Sequence, residues 1–156
     1  MAKVYTVSFV KANNEAVNGY NFTWKNTSDK LKFTIVNGNN FDRAWDYVRF
    51  GTKKGDSTGT ITTDSPFAEA IAESAITIDK VTIASIDSIK LLVSTSADFT
   101  TDTTTSYDVN VAEGEQTTKI TTPVANAYYK YEINCKKASK NGPIQISKIT
   151  FTTVAE

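Results

Sequence analysis

Apolar and polar residues alternate along most of this chain with a period of two, the pattern of half-buried β-strands. Tyr5, Val7 and Phe9 alternate with Thr6 and Ser8, and Tyr20, Phe22 and Trp24 alternate with Asn21 and Thr23. Leu31, Phe33 and Ile35 follow, and the Asn37-Gly38 pair then marks a turn, because both residues tolerate positive φ. Tyr47–Gly51 and Gly59–Thr63 read as short strands. Ile76 and Ile78 share one parity while Val81 and Ile83 share the other, which predicts a β-bulge near Asp79-Lys80. Ile89–Val93 reads as a central strand, the Thr-rich stretch 94–106 as a loop, and Tyr107, Val109 and Val111 as another strand. Tyr129, Tyr131, Ile133 and Cys135 give the cleanest alternation, with polar Lys130, Glu132 and Asn134 between them. After the Asn141-Gly142-Pro143 turn, the shift from Ile144 and Ile146 to Ile149 and Phe151 predicts a second bulge.

One helix start stands out. Ser65 can cap, Pro66 suits the first helical position and Glu69 falls in the first turn, with Phe67, Ala70 and Ile71 on one face, so one or two turns are expected there. The total is an all-β chain of about eight to ten antiparallel strands with at most one or two short helices. That is the pattern of a sandwich or barrel.

Composition narrows the function more than the fold. The 156 residues suit a single domain spanning 1–156. Seventeen basic residues balance seventeen acidic ones. The only basic pairs, Lys53-Lys54 and Lys136-Lys137, read as solvated loops, so no nucleic-acid partner is expected. Cys135 stands alone, which excludes an internal disulfide and suggests a small buried apolar residue. No apolar stretch follows Met1, so no signal peptide is expected, and none reaches the roughly 20 residues that span a bilayer, so no membrane insertion is expected.

Histidine is absent, which excludes a Ser-His-Asp or Cys-His arrangement and the commonest transition-metal ligand. No Gly-rich phosphate loop is present. Asp42 and Asp46, with Trp45 between them, hold the residue types of a glycosidase, but a sequence-local pair more naturally forms a polar loop. The oxygen-rich stretch Asp98–Asp108 is the one place for a structural calcium ion, although it lacks EF-hand spacing. The expectation is therefore a non-enzymatic protein without a cofactor.

Aromatic residues are the stronger lead. Trp24, Trp45, Tyr20, Tyr47 and Tyr128 suit interfaces, and the only two arginines, Arg43 and Arg49, lie beside aromatics. Asp42, Arg43, Trp45, Asp46, Tyr47 and Arg49 form the candidate ligand- or partner-binding set. The alternative puts Trp24, Tyr47 and Phe50 in the core and leaves Arg49 as an exposed strand residue.

The run Tyr47–Gly51, the segment Ile76–Ile83, the Tyr128-Tyr129-Lys130-Tyr131-Glu132-Ile133 strand and the ending Gly142–Ile149 together resemble the jelly-roll, galactose-binding-like accessory domains of bacterial surface proteins, secreted enzymes and phages. The likeness covers roughly 45–153. It implies a jelly roll and a carbohydrate-binding or adhesive role, and it transfers no ligand residue. The missing export signal fits a secreted appendage poorly, and jelly rolls are also common in viral capsids. The leading expectation is a phage virion accessory protein (capsid decoration or auxiliary) with protein partners in a larger assembly. The alternative is a carbohydrate-binding module or adhesin, in which case the chain would be an excised extracellular or cell-surface domain with a glycan partner.

Overall fold

In the computed structural model, which describes residues 1–155, the alternating segments become twelve strands. In chain order they are β1 (Val4–Ser8), β2 (Thr23–Ser28), β3 (Leu31–Val36), β4 (Gly38–Asn39), β5 (Val48–Phe50), β6 (Ser57–Thr63), β7 (Ile71–Val81), β8 (Ile86–Ser94), β9 (Thr104–Val109), β10 (Gly114–Lys119), β11 (Tyr128–Cys135) and β12 (Ile144–Thr153). They build two antiparallel six-stranded sheets. One runs β10-β7-β12-β5-β4, with β1 end to end beside β5 along the same edge of β12. The other runs β2-β3-β6-β11-β8-β9.

The last eight strands define the topology. They pair from the outside inwards: β5 with β12, β6 with β11, β7 with β10 and β8 with β9. This is one long hairpin, rolled so that its successive pairs fall alternately in the two sheets, which makes the sandwich a jelly roll. The first four strands extend it: β1 and β4 add to one sheet, and the β2–β3 hairpin adds to the other.

Residues of one parity line the space between the sheets. On β11, Tyr129, Tyr131, Ile133 and Cys135 are buried, facing Ile76, Ile78, Ile146, Ile149 and Phe151 of the opposite sheet. Both bulges lie where the parity switches. Asp79 on β7 and Ser147 on β12 are skipped in the pairing, and the Ser147 hydroxyl donates to Asp79 Oδ1 at 2.7 Å. Each strand therefore keeps its apolar set inward on both sides of the bulge. Cys135 is buried, and desolvation pushes its thiol up to about 11.

Three elements differ from expectation. No helix forms at Ser65–Ile71. The Phe67 amide donates to Ala127 O at 3.0 Å and Phe67 O accepts from Asn126 N at 2.9 Å, while its ring packs against Tyr5, Tyr129 and Phe151. A long-range bridge and a core position outweigh the local helix signal. The helical content is instead three 3-10 turns, Lys11–Asn13, Ile83–Ser85 and Thr101–Thr103. The stretch 94–106 is only partly a loop, because β9 already starts at Thr104. Strands outnumber the expectation because β4 has only two residues and β10, Gly-Glu-Gln-Thr-Thr-Lys, has no apolar residue to show an alternation.

The Tyr129 hydroxyl is buried and makes no hydrogen bond of good geometry among the described residues, the Ile71 backbone being a polar neighbour, and desolvation pushes its phenol up to about 12. A buried hydroxyl without a partner costs free energy, whereas the ring alone packs well. Tyr129→Phe is therefore expected to leave the urea midpoint unchanged or raise it. A loss of more than about 1 kcal/mol would show that the hydroxyl has a partner. Tyr131 is the internal contrast: its hydroxyl lies 2.7 Å from Ser74 Oγ, so Tyr131→Phe is expected to be the more costly change of the two.

Candidate functional site

Between β4 and β5 the chain turns at one end of the roll through residues 40–47, which contain most of the candidate set. Asn39 and Asn40 are buried and act as braces. Asn40 Oδ1 accepts from Val17 N (3.3 Å) and Arg43 N (3.0 Å), while its Nδ2 donates to Glu15 O (2.8 Å). Asn39 Oδ1 accepts from Gly19 N (3.1 Å) and Phe41 N (2.9 Å). Together they hold three consecutive non-glycine residues in the left-handed region: Phe41, Asp42 and Arg43, at φ 50°, 54° and 65°. Each such residue costs roughly 1–2 kcal/mol, so the turn persists only because its surroundings impose it.

The turn lifts Phe41, which is 50% exposed, over Trp45. The two rings stack at 5.4 Å with 17° between planes, and Trp45 stacks on Tyr47 at 5.3 Å and 6°. Arg49, on β5, places its guanidinium carbon 4.2 Å from the Trp45 ring centre, a cation–π contact. The same guanidinium donates to the Tyr20 hydroxyl (3.3 Å from Nε, 3.1 Å from Nη2) and to Asn141 O (3.2 Å). Gly142 permits this approach. Its φ is +74°, and a Cβ there would overlap Arg49 Nε and lie 2.7 Å from Cζ.

Of the six candidate residues, the structure joins Trp45, Tyr47 and Arg49 in one stack. Asp42, Arg43 and Asp46 are exposed around it, with Asp46 Oδ1 accepting from Lys11 N at 3.1 Å. Arg49 is half-buried and tied on three sides, and Tyr47 belongs to the surface stack; Trp24 and Phe50 are core, with the Trp24 indole N–H bonded to Gly38 O at 2.8 Å. With three groups packed on it, the Trp45 ring is engaged within the protein. Among the described residues, no group of three His, Cys, Asp or Glu comes together in a way that could hold a metal ion. In the stretch 98–108 the oxygens turn to local bonds: the Thr103 and Thr104 hydroxyls donate to Thr100 O, and Asp108 pairs with Lys90 at 3.0 Å.

Sequence reasoning passed over Phe41, the two bracing asparagines and Phe22. Asn39-Asn40 directly before an aromatic residue was the available signal, since asparagine tolerates and stabilises left-handed turns. No model of a known protein family matches the chain, and no curated protein matches it.

Proposed function

We propose that this chain is a non-catalytic building block of a protein assembly, and that a second copy docks on the aromatic column. The carrying observation is the prearranged Phe41–Trp45–Tyr47–Arg49 stack. Tryptophan, tyrosine and arginine dominate the energetics of protein contacts, and groups already held in place lose little freedom on binding. The exposed charges around the stack, Asp42, Arg43 and Asp46, include both signs, so a two-fold contact offers each copy an acid and a base. The balanced formal charge removes long-range repulsion between copies.

A stable contact buries about 800 Å² per partner, more than one loop supplies. Val10, 42% exposed and next to the Lys11 amide that bonds Asp46, widens the apolar surface. Jelly rolls recur in viral capsids, and an accessory place in a virion is the form of this proposal that we favour. The stacking on Trp45 also weighs against that ring as a free platform for a sugar.

Sedimentation velocity tests the proposal. The wild-type chain is expected to self-associate with a Kd on the order of 10–100 µM, and Phe41→Ala is expected to weaken this roughly tenfold with an unchanged melting temperature. A chain that stays monomeric at about 1 mM contradicts it.

A further inference from the structure

The two lysine pairs that look independent in the sequence meet in the fold. The β5–β6 loop (51–56) and the β11–β12 loop (136–143) lie side by side, stitched by four hydrogen bonds. Ala138 N donates to Thr52 O (3.0 Å), Gly142 N to Gly51 O (2.9 Å), Lys137 N to Asp56 Oδ1 (2.8 Å) and Lys53 N to Asn141 Oδ1 (3.0 Å). Lys53, Lys54, Lys136, Lys137 and Lys140 are thereby gathered at one end of the roll. All five are exposed, and among the described residues none forms an ion pair. In a chain of zero formal charge this is a local basic excess, offset nearby by Asp56 and Asp87.

Lys54 and Asp56 line a cleft of about 610 Å³ that runs from the β1–β2 connection to Asn141, within the range of small-ligand sites. Lys53 and Lys140 flank its wall as chain neighbours of Lys54 and Asn141, while Lys136 and Lys137 line the adjoining cleft, which shares Asp56 and Ser57 with it. Phe22 lines it and is 52% exposed. Its ring leans on Gly19, where a Cβ would come within 2.8 Å of Phe22 Cε2, so it is supported from behind while still open to solvent. The amides in the cleft are each half used. Asn37 gives its Nδ2 to Thr58 O (2.9 Å) and keeps its Oδ1, while Asn141 gives its Oδ1 to Lys53 N and keeps its Nδ2. The Tyr20 hydroxyl accepts from Arg49, which can only donate, and so has its own hydrogen left to give. The cleft thus combines a supported aromatic face and anchored donors and acceptors of the kind hydroxyls need, with Lys54 in its wall and the other four lysines on the loops beside it.

We propose that this end of the roll binds an acidic polysaccharide. Phe22 carries a sugar ring, Tyr20, Asn37 and Asn141 bond its hydroxyls, and the five lysines meet the carboxylates or sulfates. A single-stranded nucleic acid would ask for several aromatic faces along its path, and this cleft offers one open ring. The site adjoins the self-docking surface through Arg49, which bonds Tyr20 and Asn141, but Phe22 and the lysines serve it while Phe41 does not, so variants separate the two.

Affinity electrophoresis of the full chain in gels containing heparin, alginate, dextran or no polymer tests it, with an oligo-dT strand run in parallel. The expected result is retardation by heparin or alginate and none by dextran. Phe22→Ala should weaken that binding roughly tenfold, as should the combined change of Lys53, Lys54, Lys136 and Lys137 to glutamine, while Phe41→Ala leaves it unchanged. Phe22 is half exposed, so its replacement leaves the core intact. Absence of retardation, retardation indifferent to Phe22, or equal affinity for oligo-dT would each overturn the proposal.

Discussion

Gly59→Val is expected to destabilise the domain by about 3 kcal/mol, at the upper end of what overpacking costs, and to lower the melting temperature by roughly 10 °C. Gly59 lies on β6 opposite Ile133 of β11, with its Cα facing the other sheet. The ring of Phe50, fully buried on β5, fills the space its side chain would need. A Cβ at Gly59 would overlap Phe50 Cδ1 and lie 2.6 Å from Cε1 and 3.2 Å from Val36 O. A Cβ at Gly38 would come within 2.8 Å of the same Cε1 and 2.7 Å of Val48 Cγ2, so both glycines make room for this edge of the ring. Phe50 is fully buried in the core, which leaves its ring little room to retreat. Against a total stability of about 5–15 kcal/mol the loss is severe. Pairing Gly59→Ala with Phe50→Leu is expected to cost less than the sum of the single changes, because the second relieves the first. Wild-type melting of Gly59→Val would show that the ring does not occupy this space.

Asn40→Ala is expected to cost about 2–4 kcal/mol and to dismantle the docking surface as well. The change takes the partner from three backbone groups, Val17 N in a buried position and Arg43 N and Glu15 O in part-buried ones, and empties the fully buried site of the Asn40 side chain. It also removes the brace that holds Phe41, Asp42 and Arg43 in the left-handed region. The turn then relaxes, Phe41 leaves Trp45, and self-association falls together with the urea midpoint. Phe41→Ala provides the control, since it should lose association while keeping stability. An Asn40→Ala variant with wild-type stability and association would contradict this account of the turn.

The strand core was legible because burial in a sandwich writes itself into parity. The shift from Ile76 and Ile78 to Val81 marked the bulge at Asp79, although Ile83, read on the same parity, lies past the strand and is 60% exposed, and the shift after Ile146 marked the one at Ser147. Parity says nothing about where a strand stops. Phe22 and Trp24 share one parity, yet Phe22 is 52% exposed and Trp24 is 3% exposed, because pairing begins at Thr23 with Val36 and Phe22 lies beyond the end of the sheet. Nor does local propensity see across the fold. The cap at Ser65-Pro66 was a sound local signal, and it lost to the bridge between Phe67 and Ala127. Trp45, Tyr47 and Arg49 stood out by residue type, whereas the packing of three groups on Trp45 depends on a left-handed turn that no periodicity encodes. The lysine cluster joins loops on the two arms of the rolled hairpin, about 80 residues apart in sequence, so only the topology brings it together.

The two tryptophans allow the central claim to be read directly. The Trp24 indole N–H is buried and bonded to Gly38 O, while Trp45 sits in the surface column. In proton–nitrogen correlation spectra of the labelled chain at increasing protein concentration, docking of a second copy on the column predicts a progressive shift or broadening of the Trp45 indole signal. The Trp24 signal should stay fixed. If both indole signals hold their positions up to about 1 mM, the column is not where copies of this chain meet.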